Sequence, residues 1–418
     1  MSEREVRRAG VLQRVKSKDL KLVEAAEILG LSYRQAKRQY QRYRQGGSKA
    51  LVHGNAGKPS NQAKPEKLRR RALALVKRHY GGEPGERFGP TLAAEHLAED
   101  HQVDVDAETL RRWMLAEGLW TRERKRKPFR QRRERRWHFG ELVQMDGSFE
   151  YWLEGRGPKG CLLHMVDDAT SMSLATFAAE ETTWGAADTL RAWVKEYGIP
   201  RALYVDWKTV YHQQPTARQQ QEGIVPVSQF GRMCAKLGIE LIGANSPQAK
   251  GRVERGHGTH QDRLIKKMRL KGIDQYEAAN EFLLGSYRAQ HNARYAVAAR
   301  DAADYHLRVP PRLDLEQVFC LEEERKVSQD WVVQYDCRWL QIEAKGQKTS
   351  VHAGSTVTVR EHRNRSLTLL LNQQKLRWHE LAERPKKPPP IPKRRMVQRP
   401  KPAPDHPWRK LALAAQRA

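Results

Sequence analysis

The apolar pattern of this chain changes period near residue 141, and that change restricts the folds open to it. Downstream, ELVQMD, CLLHMVDD, SLATFAAE, RALYVD and IELIGA are short apolar segments of strand type. Between them, residues 184–197 place Ala187, Leu190, Trp193, Val194 and Tyr197 at helical spacing. Residues 228–237 do the same with Phe230, Met233, Cys234 and Leu237. Three strands, then helix, strand, helix and strand, followed by a long helix over about 251–268, predict an α/β layered domain. After a helical stretch to about residue 306, residues 328–380 hold short strands separated by turn residues, as in a small β-barrel.

Upstream of the change the chain reads as helices. Val23, Ala26, Ile28 and Leu29 make one apolar face, and Gly30-Leu31-Ser32 provides a turn and a cap. The next helix, Tyr33 to Arg44, carries Arg34, Lys37, Arg38, Arg42 and Arg44. A helix, a short glycine turn and a basic second helix form the helix-turn-helix pattern, with the basic helix expected in the DNA major groove. A second helical unit is expected over 67–80, 90–99 and 107–117, with Arg111 and Arg112 on a second recognition helix. The expected organisation is a helix-turn-helix domain over 1–60, a second over 61–121, and a basic linker over 122–137. An α/β core follows over 138–306, then a small β-barrel over 320–382 and a basic Pro-rich tail over 383–418.

Charge points to the partner. Lys plus Arg number 77 against 49 Asp plus Glu, a formal net charge of +28. Residues 122–136 alone hold ten Lys/Arg against two Glu. A surface so positive calls for a polyanion, and nucleic acid is the expected one. No apolar run approaches the roughly 20 residues needed to span a bilayer, and the first ten residues lack the apolar centre of a signal peptide. The four cysteines include no C-x-x-C pair, so reduced thiols in a cytoplasmic, nucleoid-associated protein are expected.

Two acids are expected at strand ends, Asp146 and Asp206, and a third, Glu254, near the start of the long helix. Three carboxylates at one point hold a dense negative charge, which a divalent cation with a preference for oxygen, Mg²⁺ or Mn²⁺, would relieve. Two such ions would activate the nucleophile and the leaving oxygen of a phosphoryl displacement. The neighbouring Asp167-Asp168 pair is read instead as a strand-end turn with side-chain-to-backbone hydrogen bonds. Lys250, Arg252 and Arg255 are expected to hold phosphates. His257 and His260 are read as phosphate or surface contacts rather than ligands.

These residues carry a family resemblance. QMDGSF around Asp146, VDDATS at 166–171, YGIPRALYVDWK leading to Asp206 and, above all, ANSPQAKGRVER at 244–255 resemble the catalytic core of DDE transposases and retroviral integrases. The closest likeness is to bacterial insertion-sequence transposases of the ISNCY type. It implies an RNase H-like (integrase) α/β core in which Asp146, Asp206 and Glu254 are catalytic and bind two Mg²⁺ or Mn²⁺ ions. It also implies binding of the element's terminal inverted repeats, metal-dependent strand cleavage, and transfer of the strand to target DNA by a homo-oligomer, with no membrane partner. Two departures stand out. The second and third acids are 48 residues apart, longer than is usual in the wider superfamily, and the polar insert HQQPTARQQQEG at 212–223 accounts for the surplus. Trp207 follows Asp206 where many relatives carry a small or polar residue. A DNA-binding regulator with a degenerate core and a nuclease of the same fold remain the alternatives.

Overall fold

The computed structural model describes residues 1–58, 63–121, 133–244, 250–343, 345–346, 349–383, 403 and 406–407. The chain falls into two units, 1–126 and 127–418. Most of the basic linker, residues 245–249 of the ANSPQAKGRVER motif and nearly all of the Pro-rich tail lie outside the described residues.

In the first unit, α1 (Glu3–Lys16), α2 (Leu22–Leu29) and α3 (Tyr33–Gly46) form the helix-turn-helix. Gly30 ends α2 at φ 64°, a left-handed position that glycine adopts without strain. Ser32 then caps α3 in a reciprocal capping box with Gln35. The apolar face differs from the expected one. Val23 and Ile28 are exposed, while Ala25 and Ala26 are buried. Small residues let α2 approach its neighbours closely, so the larger side chains are turned outward. On α3 the buried positions are Ala36 and Tyr43, and Arg34, Lys37, Arg38, Arg42 and Arg44 are all exposed. Helices α4 (Glu66–Leu75), α5 (Pro90–His101) and α6 (Ala107–Ala116) pack around Leu73, Phe88, Leu92, Leu97, Leu110 and Met114. Asp106 caps α6 by accepting from the Glu108 and Thr109 amides.

The second unit is built on a five-stranded sheet of order β3-β2-β1-β4-β5. Strands β1 (Val143–Glu150), β2 (Gly160–Asp167) and β3 (Ser173–Ala178) form an antiparallel meander. Strands β4 (Ala202–Val205) and β5 (Glu240–Gly243) run parallel to β1. This mixed sheet with helices on both faces is the architecture implied by the RNase H-like resemblance. One face of β1 sends Val143 and Met145 into a core with α7 (Thr183–Glu196) and α9 (Gln229–Leu237), where Leu190, Trp193, Phe230 and Met233 are fully buried. Because side chains alternate along a strand, Gln144 and Asp146 face the other way. There α10 (Gly251–Leu270) lies against β1 and β2, with α11 (Tyr276–Phe282) and α12 (Arg288–Tyr295) beyond it. The short α8 (Ala217–Gln221) sits in the polar insert.

After α13 (Leu315–Val318), strands β6 (Leu321–Lys326), β9 (Thr356–Glu361), β10 (Leu367–Leu371) and β11 (Gln374–Lys375) form one sheet. Strands β7 (Val332–Tyr335), β8 (Arg338–Ile342) and β12 (Trp378–Leu381) form another. Both sheets contribute to one core through Val333, Leu340, Val357, Val359 and Leu369. The small β-domain expected here is present as two sheets, with no hydrogen-bonded ladder joining them among the described residues. Glu322 of β6 ties it to the α/β core by accepting from Lys236 of α9 at 2.6 Å, while also accepting from Arg360 of the neighbouring β9 at 2.6 Å. All four cysteine thiols are free.

A buried histidine cluster holds α10 to the sheet. His164 Nε2 lies 2.6 Å from Ser173 Oγ and 3.2 Å from His260 Nε2, and His260 Nδ1 lies 3.1 Å from Tyr287 OH. His291 stacks on His260 with ring centroids 4.5 Å apart. Gly256 makes this approach possible, because a Cβ there would stand 2.4 Å from the His164 ring. His257 and His260, expected as phosphate or surface contacts, are buried, since α10 is covered on this side by β2 and α12. Burial pushes His257 and His291 down to about 4 and lowers His164 and His260 as well. The folded state therefore binds fewer protons than the unfolded one. The stability these groups lend is complete above the unfolded value of about 6.5 and declines as pH falls below it, by up to about 1.4 kcal/mol per pH unit for each histidine kept neutral. The urea midpoint of this unit should drop between pH 7 and pH 5, and His291→Gln should make that pH dependence shallower; equal slopes for both proteins would remove the cluster as the cause.

Candidate functional site

Asp146 and Asp206 meet where two strands part. β1 pairs with β4 only at Val143 and Gln144. Beyond that, β1 continues to Glu150 bonded to β2 alone. Asp146 thus stands within its strand rather than at the strand end expected from the sequence, but at the point where its β4 side opens. Asp206 directly follows β4. The crevice at the carboxyl end of a parallel strand is where such sheets expose functional groups on a rigid frame.

Lys250 bridges the two acids. Its Nζ donates to Asp146 Oδ1 at 2.9 Å and also to Asp206 Oδ1. It is buried, with 8% of its side chain exposed, against 15% for Asp146 and 28% for Asp206. The carboxylates therefore face one shared point, and a cation occupies it. Burial pushes the Asp146 carboxyl up, with the nearby negative charge of Asp206 adding to the effect of burial against the pull of Lys250. Burial acts in the same sense on Asp206, but hydrogen bonds and charge from Lys250 and Lys208 outweigh it and hold Asp206 below its ordinary value. The environment thus separates two chemically identical groups.

Four further groups complete the site: Lys208, Glu181 and Tyr211, which the sequence did not single out, and His257, which it offered only as a phosphate or surface contact. Lys208 Nζ stands 3.4 Å from Asp206 and donates to Glu181 Oε2 at 2.6 Å. Glu181, 4% exposed, also accepts from Tyr211 OH at 2.9 Å. It lies so close to Gly147 that a Cβ there would be 2.6 Å from its Oε2. His257 Nδ1 is 3.9 Å from Asp146 Oδ2. The signal available in the sequence was weak, because Glu181 follows a strand in the loop that leads to α7 and resembles many surface acids.

The third predicted acid is placed differently. Glu254 lies in the first turn of α10 and is exposed. It sits one turn after Lys250 and three residues before His257, so all three share a face of α10 and its N-cap. Among the described residues no group of three or more His, Cys, Asp or Glu is arranged to hold a metal ion. The structure brings Asp146 and Asp206 together and leaves Glu254 exposed on the first turn of α10. Of the basic residues expected on phosphates, Arg255 is exposed, whereas Lys250 is on the acid pair and Arg252 is turned to the buried Asp168. Arg112 is exposed, and Arg111 pairs with Glu108 at 2.5 Å. Trp207, 55% exposed, stacks on His212 with centroids 4.6 Å apart and covers Gly243.

Comparison with known proteins supplies an independent measure. Residues 7–60 match the model of a helix-turn-helix domain family. A Sinorhizobium fredii protein named as a transposase is 38% identical over 346 residues, covering 82% of this chain and 74% of the relative. The transposase for insertion sequence IS1202 of Streptococcus pneumoniae is 30% identical over 304 residues, covering 64% of this chain and 63% of the relative. Among solved structures, the catalytic core domain of HTLV-2 integrase is similar at 17% identity and a TM-score of 0.26, covering 35% of this chain and 86% of that one. No described helix is long and apolar enough to cross a membrane. By identity and coverage together, the chain belongs to the family of insertion-sequence transposases.

Proposed function

We propose that this chain is a DDE-type transposase, a polynucleotidyl transferase that cleaves DNA at the ends of its element and joins them to target DNA. The observation that carries this reading is the pair of carboxylates, from separate strands, that converge on one cation. The point between Asp146 and Asp206 suits a positive charge, as the Lys250 ammonium seated there demonstrates, and its donors are all hard oxygens. Mg²⁺ or Mn²⁺ fits such a set better than zinc. Asp146 and Asp206 would hold the ions, and Glu254 on the adjoining helix turn would be the third ligand. Bound there, one or two divalent ions would activate the attacking oxygen and neutralise the leaving oxygen of an in-line phosphoryl displacement.

The protein's own share is positioning and charge. The sheet fixes Asp146 and Asp206. Lys208, oriented by Glu181 and Tyr211, presents a cation beside Asp206 to a DNA phosphate. Arg34, Lys37, Arg38 and Arg42 form one stripe of α3, opposite the buried Ala36 and Tyr43, which would lie on the terminal inverted repeats. Arg111, Arg112 and Arg255 add further phosphate contacts. Joining two ends to one target requires at least two copies, so the working form is a homo-oligomer on DNA.

Asp146→Asn removes the charge without changing shape. It should lower cleavage and strand joining by at least about 100-fold, a loss of the size seen when a transition-state charge contact is removed, while repeat binding stays within twofold. Joining at the wild-type rate would overturn the assignment. Arg38→Ala should weaken repeat binding and reduce the slope of log K against log salt by about 0.9, the share of one phosphate contact; an unchanged slope would place α3 away from the DNA.

A further inference from the structure

The Asp167-Asp168 pair divides into two roles. Asp167 makes the expected turn, accepting from the Thr170 amide and hydroxyl, each at 2.7 Å, and from the Gly140 amide at 3.0 Å. Asp168 does something else. It is fully buried, and its carboxylate collects donors from three parts of the fold. Oδ1 accepts from Gln144 Nε2 of β1 at 2.7 Å, from Arg252 Nη1 of α10 at 2.6 Å, and from Arg133. Oδ2 accepts from the Arg136 amide at 2.8 Å.

Gln144, also fully buried, transmits this to the helix backbone. Its Oε1 accepts from the amides of Arg252 at 3.3 Å and Val253 at 3.2 Å. The first N–H groups of a helix have no partner within it, and here a side chain from the sheet supplies one. Donation from Nε2 to Asp168 fixes which end of the amide faces α10, and the buried negative charge beside the helix start matches the direction of its dipole.

The residues so fastened are those flanking the acid pair. Lys250, Arg252, Val253 and Glu254 lie within the first turn of α10 and its cap. Gln144 is two residues before Asp146 on the same face of β1. We infer that Asp168 and Gln144 form a buried latch that sets the start of α10, and with it Lys250 and Glu254, in register with Asp146 and Asp206. Asp168 is thereby a positioning residue for DNA cleavage and joining. This rests on the metal-site reading above and adds to it a residue that touches neither DNA nor ion.

The test uses the full chain with Asp168→Asn and Gln144→Met. The first keeps shape and loses charge. The second keeps the ion pairs of Asp168 and removes the acceptor for the helix amides together with the amide donor to Asp168. Each should lower strand joining about 30-fold and weaken Mn²⁺ binding, followed by the free-ion electron paramagnetic resonance signal, about 10-fold. Amide exchange at Arg252 and Val253 should accelerate about 10-fold while that at Leu264 stays unchanged, and repeat binding should stay within twofold. If Asp168→Asn fails to fold, Gln144→Met decides. Mn²⁺ binding and joining within twofold of wild type would overturn the latch and leave Asp168 as an anchor for residues 133–136. That result beside an inactive Asp146→Asn would sink the latch alone; an active Asp146→Asn would sink the metal-site reading itself.

Discussion

Two carboxylates aimed at one point repel, and a fold that brings them together must keep a positive charge between them. In this chain that constraint organises the ground around Asp146 and Asp206. Lys250 supplies the charge directly, and Lys208 adds a second cation at the outer side of Asp206. Each lysine must in turn be held, because a buried ion pair is favourable only when its geometry is fixed and its remaining donors are satisfied. Glu181, itself held by the Tyr211 hydroxyl, accepts from Lys208, and the N-cap of α10 carries Lys250. The alternation of charges, Glu181 to Lys208 to Asp206 to Lys250 to Asp146, keeps a site with three acids near neutrality.

The sheet turns this electrostatic arrangement into a rigid one. Val143 and Met145 are locked into the main core, so the opposite side of β1 has no freedom to tilt, and Gln144 and Asp146 are held on it. Interiors packed like this transmit displacement rather than absorbing it. The position of α10 is then set from two sides, by the histidine cluster along its length and by the Gln144 and Asp168 contacts at its start.

Much of this was legible in the sequence, for identifiable reasons. Strand-type runs such as CLLHMVDD and the helical spacing of Leu190, Trp193 and Val194 reflect burial, which is written in residue type. Gly30 and Ser32 marked the turn because only a few residues suit those positions. Asp146 and Asp206 stood out as acids attached to apolar strands. The rest depended on pairings between distant residues. Nothing local to Gln144 says that its amide will meet a helix more than 100 residues later, and nothing near Glu181 says that it will face Lys208. Asp168 was assigned the role its neighbour performs, because the two acids are adjacent at the end of one strand, both are fully buried, and only their distant partners tell them apart. Val23 and Ile28 misled through size, since close packing of α2 buries the expected Ala26 and, in their place, Ala25.

The polar insert between the second and third acids has its two ends fastened together. Tyr211 is buried, its carbonyl accepts from the Ser228 hydroxyl at 2.8 Å, and Ser228 begins α9. The 16 residues from His212 to Val227 therefore leave and rejoin the body of the protein at one place. Loop closure depends only weakly on length once the base is set. Residue count along this stretch is thus uncoupled from spatial separation at the crevice between Asp146 and Asp206, which makes the excursion a natural graft point for a reporter peptide or an affinity handle.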